Sequence, residues 1–270
     1  MPSPDRIDLA ACNQALIGTR FAGKLQHFAS VSSTNTLLLE AAAAGAPEGT
    51  VYVADEQTAG RGRGGHAWHS APGEGLYVSA LVHPALLLRD ALWLSLATGV
   101  AAHRAIREAT GHEAVGVSID IRWPNDLLIG GKKLGGILVE TAVEHGDDPL
   151  LRYAVIGIGI NVHHAAFPAE LSSLATSIAL ESEMPAGRGP LLLALLRALD
   201  HELTLLETSA PGLLERFSAI STWVRGKRVH VPEQGGYTGR TAGLDERGFL
   251  LVDSDDGIRR TVLSGGVREA

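Results

Sequence analysis

Four strand-like runs, at residues 117–123, 127–129, 136–141 and 153–162, follow one another with only turn residues between them. Connections this short close hairpins rather than helical crossovers, so an antiparallel or mixed sheet is predicted. Two earlier runs, at 50–54 and 76–82, alternate in the same way and supply further strands. Helices are expected around them. Ser32-Ser33-Thr34-Asn35 places side-chain oxygens ahead of Leu37-Leu38-Leu39 and an alanine run that stops at Gly45, the pattern of a capped helix ended by glycine. Residues 89–110 form the longest helical pattern, with Leu92, Leu96, Val100 and Ile106 on one face and Gly111 as the stop. Residues 9–17, 190–207 and 212–220 read as further helices. After Trp223 the character changes: short runs at 228–231, 238–244, 249–252 and 259–263 recur between Gly/Asp turns, as in a small β-barrel. The predicted fold class is α+β, a mixed β-sheet flanked by helices with a small barrel appended. The division falls at residue 222, giving units 1–222 and 223–270.

Composition narrows the function classes. Of 270 residues, 45% are apolar and 20% charged, enough to bury a large core. Cys12 is the only cysteine, which excludes an internal disulfide and a multi-cysteine metal site and fits a reducing, cytoplasmic setting. The start Met1-Pro2-Ser3-Pro4-Asp5-Arg6 lacks the basic and apolar regions of a secretory signal. The weakly polar stretch 91–102 is too short to cross a bilayer. A net charge of −7 gives no global attraction for nucleic acid or an anionic membrane, so neither is an expected partner. Phosphate chemistry would need a local basic cluster.

Three stretches combine glycine with such chemistry. Gly60-Arg61-Gly62-Arg63-Gly64-Gly65 interleaves four glycines with two arginines, and Trp68 follows. Amides and guanidinium groups on so pliable a backbone can wrap an anion, and the indole can stack on a purine. Taken alone, the string equally describes a solvated loop. It matches neither GxxxxGK[ST] nor a dinucleotide-binding turn, because the glycines lead toward a strand instead of opening a helix. In the second stretch, Arg122-Trp123-Pro124-Asn125-Asp126, proline ends a strand and turns Asn125 and Asp126 out of the sheet. Gly130-Gly131 then returns Lys132 and Lys133 beside them. A carboxylate and an ammonium face each other across this hairpin, with Gly135 and Gly136 leaving room for a ligand; a surface lysine pair at a turn is the plainer alternative. The third stretch, Gly157-Ile158-Gly159-Ile160-Asn161, strips side chains from one sheet face, either as a bed for a flat ligand or for tight strand packing. Of 32 glycines, 12 lie in or beside these stretches, at 60, 62, 64, 65, 73, 75, 130, 131, 135, 136, 157 and 159. The glycine excess therefore gathers where backbone would meet a ligand.

Together with Ser33-Thr34-Asn35, these stretches closely resemble the bacterial biotin protein ligases. The family's Ser-Thr-Asn triplet, its GRGRxG loop followed by Trp, and its [KR]WPND, KLxGIL and GxGxN motifs recur here in order between residues 28 and 164. The resemblance implies a class II aminoacyl-tRNA synthetase-like catalytic fold with a C-terminal SH3-like barrel. It implies an ATP-dependent ligase that forms biotinyl-5′-AMP and pyrophosphate from biotin and MgATP, then passes the biotinyl group to a lysine of a carboxylase's biotin carboxyl carrier domain. By the same resemblance, Ser33, Thr34, Asn35 and Gln57 hold the ureido ring, and Gly60, Gly62 and Gly136 line the biotin. Arg61 and Arg63 bind the biotin carboxylate and the ATP phosphates, and Lys133 sits beside the reacting carboxyl and α-phosphate. Trp68 and Asn161 flank and read the adenine, with Arg122 and Asn125 also at the nucleotide. Lys133, Arg61, Arg63 and Asp126 are the expected catalytic residues, Asp126 orienting or deprotonating the acceptor amine. Mg²⁺ is expected on the nucleotide phosphates, with no protein metal site. Homodimers formed through a sheet edge occur in the family and are compatible with this chain.

Two departures carry consequences. Arg122 stands where lysine is common, which keeps the charge but not a contact that needs a slim ammonium. The triplet beginning at Ser33 leaves no room before it for the winged helix-turn-helix of ligases that also repress transcription, so repression is not expected. His66/His69 and His163/His164 lack a cysteine or carboxylate at ligand spacing and read as polar loop. Asp253-Ser254-Asp255-Asp256-Gly257 reads as a solvated turn, not a calcium loop. A lipoate or octanoate ligase of similar fold is the alternative enzyme; the transferases that work through a thioester need a cysteine, and Cys12 lies upstream of every site motif. A non-catalytic sensor of biotin or its adenylate is the alternative from another class, opposed by the presence of Lys133 together with Arg61 and Arg63.

Overall fold

The computed structural model describes residues 5–111, 118–182, 186–208, 210–233 and 235–270. Its central sheet contains β1 (Leu25–Phe28), β2 (Val51–Ala54), β3 (Gly75–Val82), β4 (Ile119–Arg122), β5 (Asp126–Ile129), β6 (Lys132–Val143) and β7 (Leu151–Asn161), in the order β1-β2-β3-β7-β6-β5-β4. Only β1 and β2 run parallel; every other neighbouring pair is antiparallel, so the sheet is mixed as the hairpin spacing predicts. β1 has no counterpart in the sequence expectations: it is four residues long and only Leu25 is fully buried, so it lacks a clear alternation. The start of the expected 117–123 run, Val117, lies outside the described residues. β6 is longer than the expected 136–141, because β5 pairs with its beginning at Lys132 and β7 with its end at Val143.

The helices are α1 (Leu9–Ala15), α2 (Thr34–Ala43), α3 (Leu92–Ala109), α4 (Ile178–Glu181), α5 (Arg188–Thr208) and α6 (Ala210–Ile220). α2 starts as predicted: the Ser33 hydroxyl accepts the Thr36 amide at 3.4 Å, and the chain leaves the helix through Gly45 at φ +93°. Strand alternation gives the sheet two unlike faces. Val51, Val53, Val78, Ala80, Ile156, Ile158 and Ile160 share one core with Leu96, Val100, Leu195, Leu199 and Phe217 from α3, α5 and α6. At roughly 1.5–3 kcal/mol for each large apolar side chain fully buried, this face carries most of the stability. On the opposite face, Tyr52, Leu81, Tyr153 and Val155 pack with Leu38 of α2 in a much smaller core. α2 thus covers one end of that face and leaves the part around Ser79, Gly157 and Gly159 to form the site.

A second sheet comprises β8 (Arg225–Val231), β9 (Tyr237–Leu244), β10 (Leu250–Ser254), β11 (Arg259–Val262) and β12 (Arg268–Glu269), in the order β11-β10-β9-β8-β12. It answers the expected string of short strands, but as an open antiparallel sheet: among the described residues no ladder joins the outer strands β11 and β12 into a closed barrel. β12 is only two residues long and is spent on pairing with β8. The sheet is tied to the rest of the chain by Trp123 Nε1 donating to the Gly248 carbonyl at 2.9 Å. Its acidic turn is no cation cage, since Asp253, Asp255 and Asp256 are paired with Arg259, Arg228 and Arg260. Among the described residues, no helix is long and apolar enough to cross a membrane.

Candidate active site

A cleft opens between the N-terminus of α2, the 57–68 segment, Asn125 and strands β3, β6 and β7. Ser33, Thr34, Asn35, Gln57, Arg61, Gly62, Arg63, Trp68, Asn125, Lys133 and Gly136 all line it. Gly60, Arg122, Asp126 and Asn161, also singled out from the sequence, lie outside this lining.

At the α2 end, polar side chains are linked in series. Gln57 Oε1 accepts the Thr34 amide at 2.9 Å and lies 3.1 Å from Thr34 Oγ1, while Gln57 Nε2 donates to Ser70 Oγ at 3.0 Å. Ser79 Oγ is 2.8 Å from Thr34 Oγ1 and 2.6 Å from Asn35 Oδ1; with one proton, it donates to one of them at a time. Asn35 Nδ2 donates to Glu140 Oε2 at 2.9 Å and to the Leu138 carbonyl at 3.3 Å. Both ends of the Asn35 amide are therefore engaged by the protein. Asn35 is only 4% exposed.

The glycine-stripped face of β7 is not a bare bed for a flat ligand. A Cβ on Gly157 would collide with the Asn35 amide, and one on Gly159 would lie 2.5 Å from Trp68 Nε1. The missing side chains make room for those of Asn35 and Trp68, which is neither a bare bed nor tight strand packing, and Gly157 and Gly159 still line the cleft. Trp68 Nε1 is buried and has no hydrogen-bond partner among the described residues.

The arginine-bearing segment is a small hairpin. The Gly62 amide donates to the His66 carbonyl at 2.7 Å, and the Trp68 amide to the Gly60 carbonyl at 2.9 Å. Gly60 must be glycine, because a Cβ there would sit 2.7 Å from the Trp68 carbonyl oxygen. From this hairpin Arg61 Nη2 donates to Glu140 Oε2 at 2.8 Å. Arg63 Nη1 donates to Asn125 Oδ1 at 3.3 Å and, across to the second sheet, to the Gly265 carbonyl at 2.7 Å. Burial lowers the Arg63 pKa, opposed by the carboxylates of Asp126 and Glu233.

Opposite stands the β4–β6 region, where a cis Trp123–Pro124 bond precedes Asn125. Asn125 is clamped to β6: its Nδ2 donates to the Ile137 carbonyl at 2.9 Å and its carbonyl accepts the Ile137 amide at 3.0 Å. Asp126 Oδ1 is 2.6 Å from Lys133 Nζ, and its Oδ2 accepts from Arg122 Nη2 at 2.6 Å and Nε at 3.1 Å. Burial pushes the Asp126 carboxyl up, but Lys133 and Arg122 together hold it below the usual carboxylate range. Lys133 Nζ also lies 5.4 Å from the Trp68 ring centroid. Arg122 is committed to Asp126 and to the Trp223 ring, 5.6 Å away. Asn161, 4% exposed, donates from Nδ2 to the carbonyls of Thr176 at 2.9 Å and Lys133 at 3.5 Å. It braces the segment whose Leu174 carbonyl accepts the Lys133 amide at 2.8 Å.

Glu140, Ser79, Ser70 and the Gly265 carbonyl belong to this network and were not found from the sequence. Glu140 could have been, by stepping along β6 in twos from Gly136. Of these histidines His66 is exposed and His163 reaches Asp5 at 3.1 Å, but His164 departs from a polar loop: it is fully buried, stacked on Phe167 at 4.9 Å and 5.7 Å from His69. Burial, reinforced by His69, lowers its pKa to about 4. Among the described residues, no three metal-ligating side chains converge.

Residues 27–161 match the model of the Biotin/lipoate A/B protein ligase family, and residues 225–267 that of the Biotin protein ligase C terminal domain. The chain is 36% identical over 237 residues to the bifunctional ligase/repressor BirA of Bacillus subtilis, covering 85% of this chain and 69% of the relative. It is 32% identical over 265 residues to the biotin–[acetyl-CoA-carboxylase] ligase of Mycobacterium tuberculosis, covering 96% and 94%. Among solved structures, the Aquifex aeolicus biotin protein ligase in complex with biotin and ATP superposes with a TM-score of 0.75 at 30% identity, over 92% of this chain and all of that one.

Proposed function

The chain belongs to the biotin/lipoate A/B protein ligase family, and from that premise we propose how its cleft performs the family's chemistry. It is an ATP-dependent biotin ligase, which activates biotin as biotinyl-5′-AMP and then transfers the biotinyl group to an acceptor lysine. The acceptor is a biotin carboxyl carrier domain, and the setting is cytoplasmic. The observation that carries the mechanism is the convergence of Lys133, Arg61 and Arg63 on one cleft beside the polar series at Thr34, Asn35 and Gln57.

In the first step a carboxylate oxygen of biotin attacks the α-phosphorus, the bond to the bridging oxygen breaks, and pyrophosphate leaves. Two anions must approach, so the barrier is largely electrostatic, and fixed cations lower it without reorganising. Lys133 is placed to bridge carboxylate and α-phosphate, with Arg61 toward the carboxylate and Arg63 toward the phosphates. Ser33, Thr34 and Gln57 take the bicyclic end of biotin, the backbone of Gly62 and Gly136 lines the cleft on the way to Lys133, and Gly60, outside the lining, shapes the hairpin; Asn35 acts by orienting Ser79 and Thr34. Trp68 and Asn125 face the nucleotide, while Arg122 and Asn161 brace Asp126 and Lys133 from behind. The carboxylates of this network are already claimed, Asp126 by Arg122 and Lys133 and Glu140 by Arg61 and Asn35, which supports Mg²⁺ arriving on the nucleotide phosphates; there it would offset their charge.

In the second step the neutral acceptor amine attacks the anhydride carbonyl, AMP departs, and the amine loses a proton. A carboxyl held low and paired with two cations is a poor proton acceptor, which supports Asp126 as the residue that positions Lys133 over Asp126 as the base. The matched segments 27–161 and 225–267 and the two separate sheets support a catalytic unit 1–222 followed by a unit 223–270.

Only the thioester-forming transferases of this fold are disfavoured by Cys12, which is 3% exposed in α1 with its thiol pKa raised by burial and by Asp8; a lipoate ligase, which needs no thiol, is decided by the substrate. The test is pyrophosphate release from ATP with biotin, lipoate or octanoate, followed by the mass gain of an acceptor domain. Biotin-dependent release with a mass gain of one biotinyl group is expected. Release with lipoate alone overturns the substrate, and adenylate that never reaches the acceptor reduces the chain to a sensor.

A further inference from the structure

We propose that Glu140 is a positioning residue that holds Asn35 and Arg61 on one carboxylate oxygen, and that the carboxylate of biotin must compete with it for Arg61. The inference rests on the reading of Arg61 as the partner of that carboxylate. Glu140 lies on β6 two strand steps beyond Gly136, so the period of two brings it to the site face of the sheet. Its Oε2 accepts from Arg61 Nη2 at 2.8 Å and from Asn35 Nδ2 at 2.9 Å. The pair with Arg61 is half-exposed, with side chains 43% and 26% accessible, and one cation serves one carboxylate. Such a pair exchanges readily for another anion. Asp126 differs: its side chain is 16% accessible and two cations grip it. Asp126 fixes its cation, and Glu140 yields one.

The exchange is asymmetric. When an incoming carboxylate takes the Arg61 guanidinium, Glu140 retains Asn35, whose Oδ1 stays at Ser79. The ureido end of the cleft keeps its orientation while the carboxylate end changes partner. An uncharged ligand of the same shape has no such claim on Arg61 and leaves the Glu140 pair intact. Glu140 therefore lowers affinity for the anionic ligand and is silent toward the neutral one.

Glu140→Gln tests this, because glutamine keeps an acceptor oxygen for Asn35 but surrenders the charge. Dissociation constants of the full chain are measured calorimetrically for biotin and for its alcohol, which carries CH₂OH in place of the carboxylate. Biotin is expected to bind roughly three- to fivefold tighter to the variant, with the alcohol unchanged. An equal change for both ligands, no change, or a selective loss of biotin overturns the inference. Glu140→Ala removes the same competitor, and its biotin-to-alcohol affinity ratio rises likewise; a ratio is independent of the folded fraction. Arg61→Gln separates the two layers. Loss of the preference for biotin in Arg61→Gln, with no shift in Glu140→Gln, overturns the inference alone, whereas a preference that survives Arg61→Gln overturns the reading of Arg61 and the inference with it.

Discussion

The two walls of the cleft hold their cations by different means. On the β5–β6 wall, Lys133 is embedded in a ladder, its own amide and carbonyl are bonded to the 174–176 segment, and its ammonium is set against Asp126, itself gripped by Arg122. On the 60–68 wall, Arg61 and Arg63 hang from a narrow hairpin and reach outward, one to Glu140 and the other to Gly265. A cation built into sheet register moves only if the ladder breaks, whereas one carried on a glycine-rich turn moves with a few backbone torsions. Under the proposed mechanism the first wall fixes where the reaction occurs. The second controls how positive charge is offered to it.

That contrast orders the expected effects. Lys133→Ala should be the most damaging, lowering biotin-dependent pyrophosphate exchange by about 10²–10³-fold while leaving biotin affinity within a few-fold. Exchange at half the parental rate would end its assignment. Arg63→Gln should cost roughly ten- to a hundredfold in kcat/KM for ATP, the worth of a charge-assisted hydrogen bond in a partly buried setting. Arg122→Lys keeps the charge but not the two-point grip on Asp126, so a loss of only about two- to fivefold in turnover is expected. A loss as large as that of Lys133→Ala would mean that Arg122 touches the nucleotide itself.

The smallest effect separates the walls by pH. His164, packed against His69 just beyond the arginine hairpin, has its pKa lowered from 6.5 to about 4, so the folded chain resists a proton that the unfolded chain accepts. Stability is therefore complete above the unfolded value and falls as pH drops from 6.5 toward 4. Asp126 has its pKa lowered as well, but from the carboxylate value, and it keeps its charge throughout that window. His164→Phe should flatten the fall in Tm between neutral and mildly acidic pH by a few degrees. An unchanged slope would place the acid sensitivity elsewhere.

Much of the better-braced wall was legible in the sequence, and less of the other. Pro124, Gly130 and Gly131 dictate a turn that returns Lys133 to Asp126, because local torsions decide it. Ser33 announces α2 for the same reason. The filling of the glycine face by Trp68 and Asn35, the pairing of Arg61 with Glu140, and the open form of the second sheet depend on residues brought together from afar. No local propensity encodes them. β1 illustrates the same limit, since Leu25–Phe28 is a strand only because Val51–Ala54 lies beside it.

The bond from Arg63 to the Gly265 carbonyl spans 202 positions of sequence. At roughly 5–20 residues per second, a ribosome needs about 10–40 s to travel between them. Late in that interval the nascent chain can possess the ladder, the hairpin and the helices, yet Arg63 lacks the Gly265 carbonyl that aims it. The proposed centre is thus complete only once position 265 has been made, and a chain cut before Gly265 would leave Arg63 without that anchor.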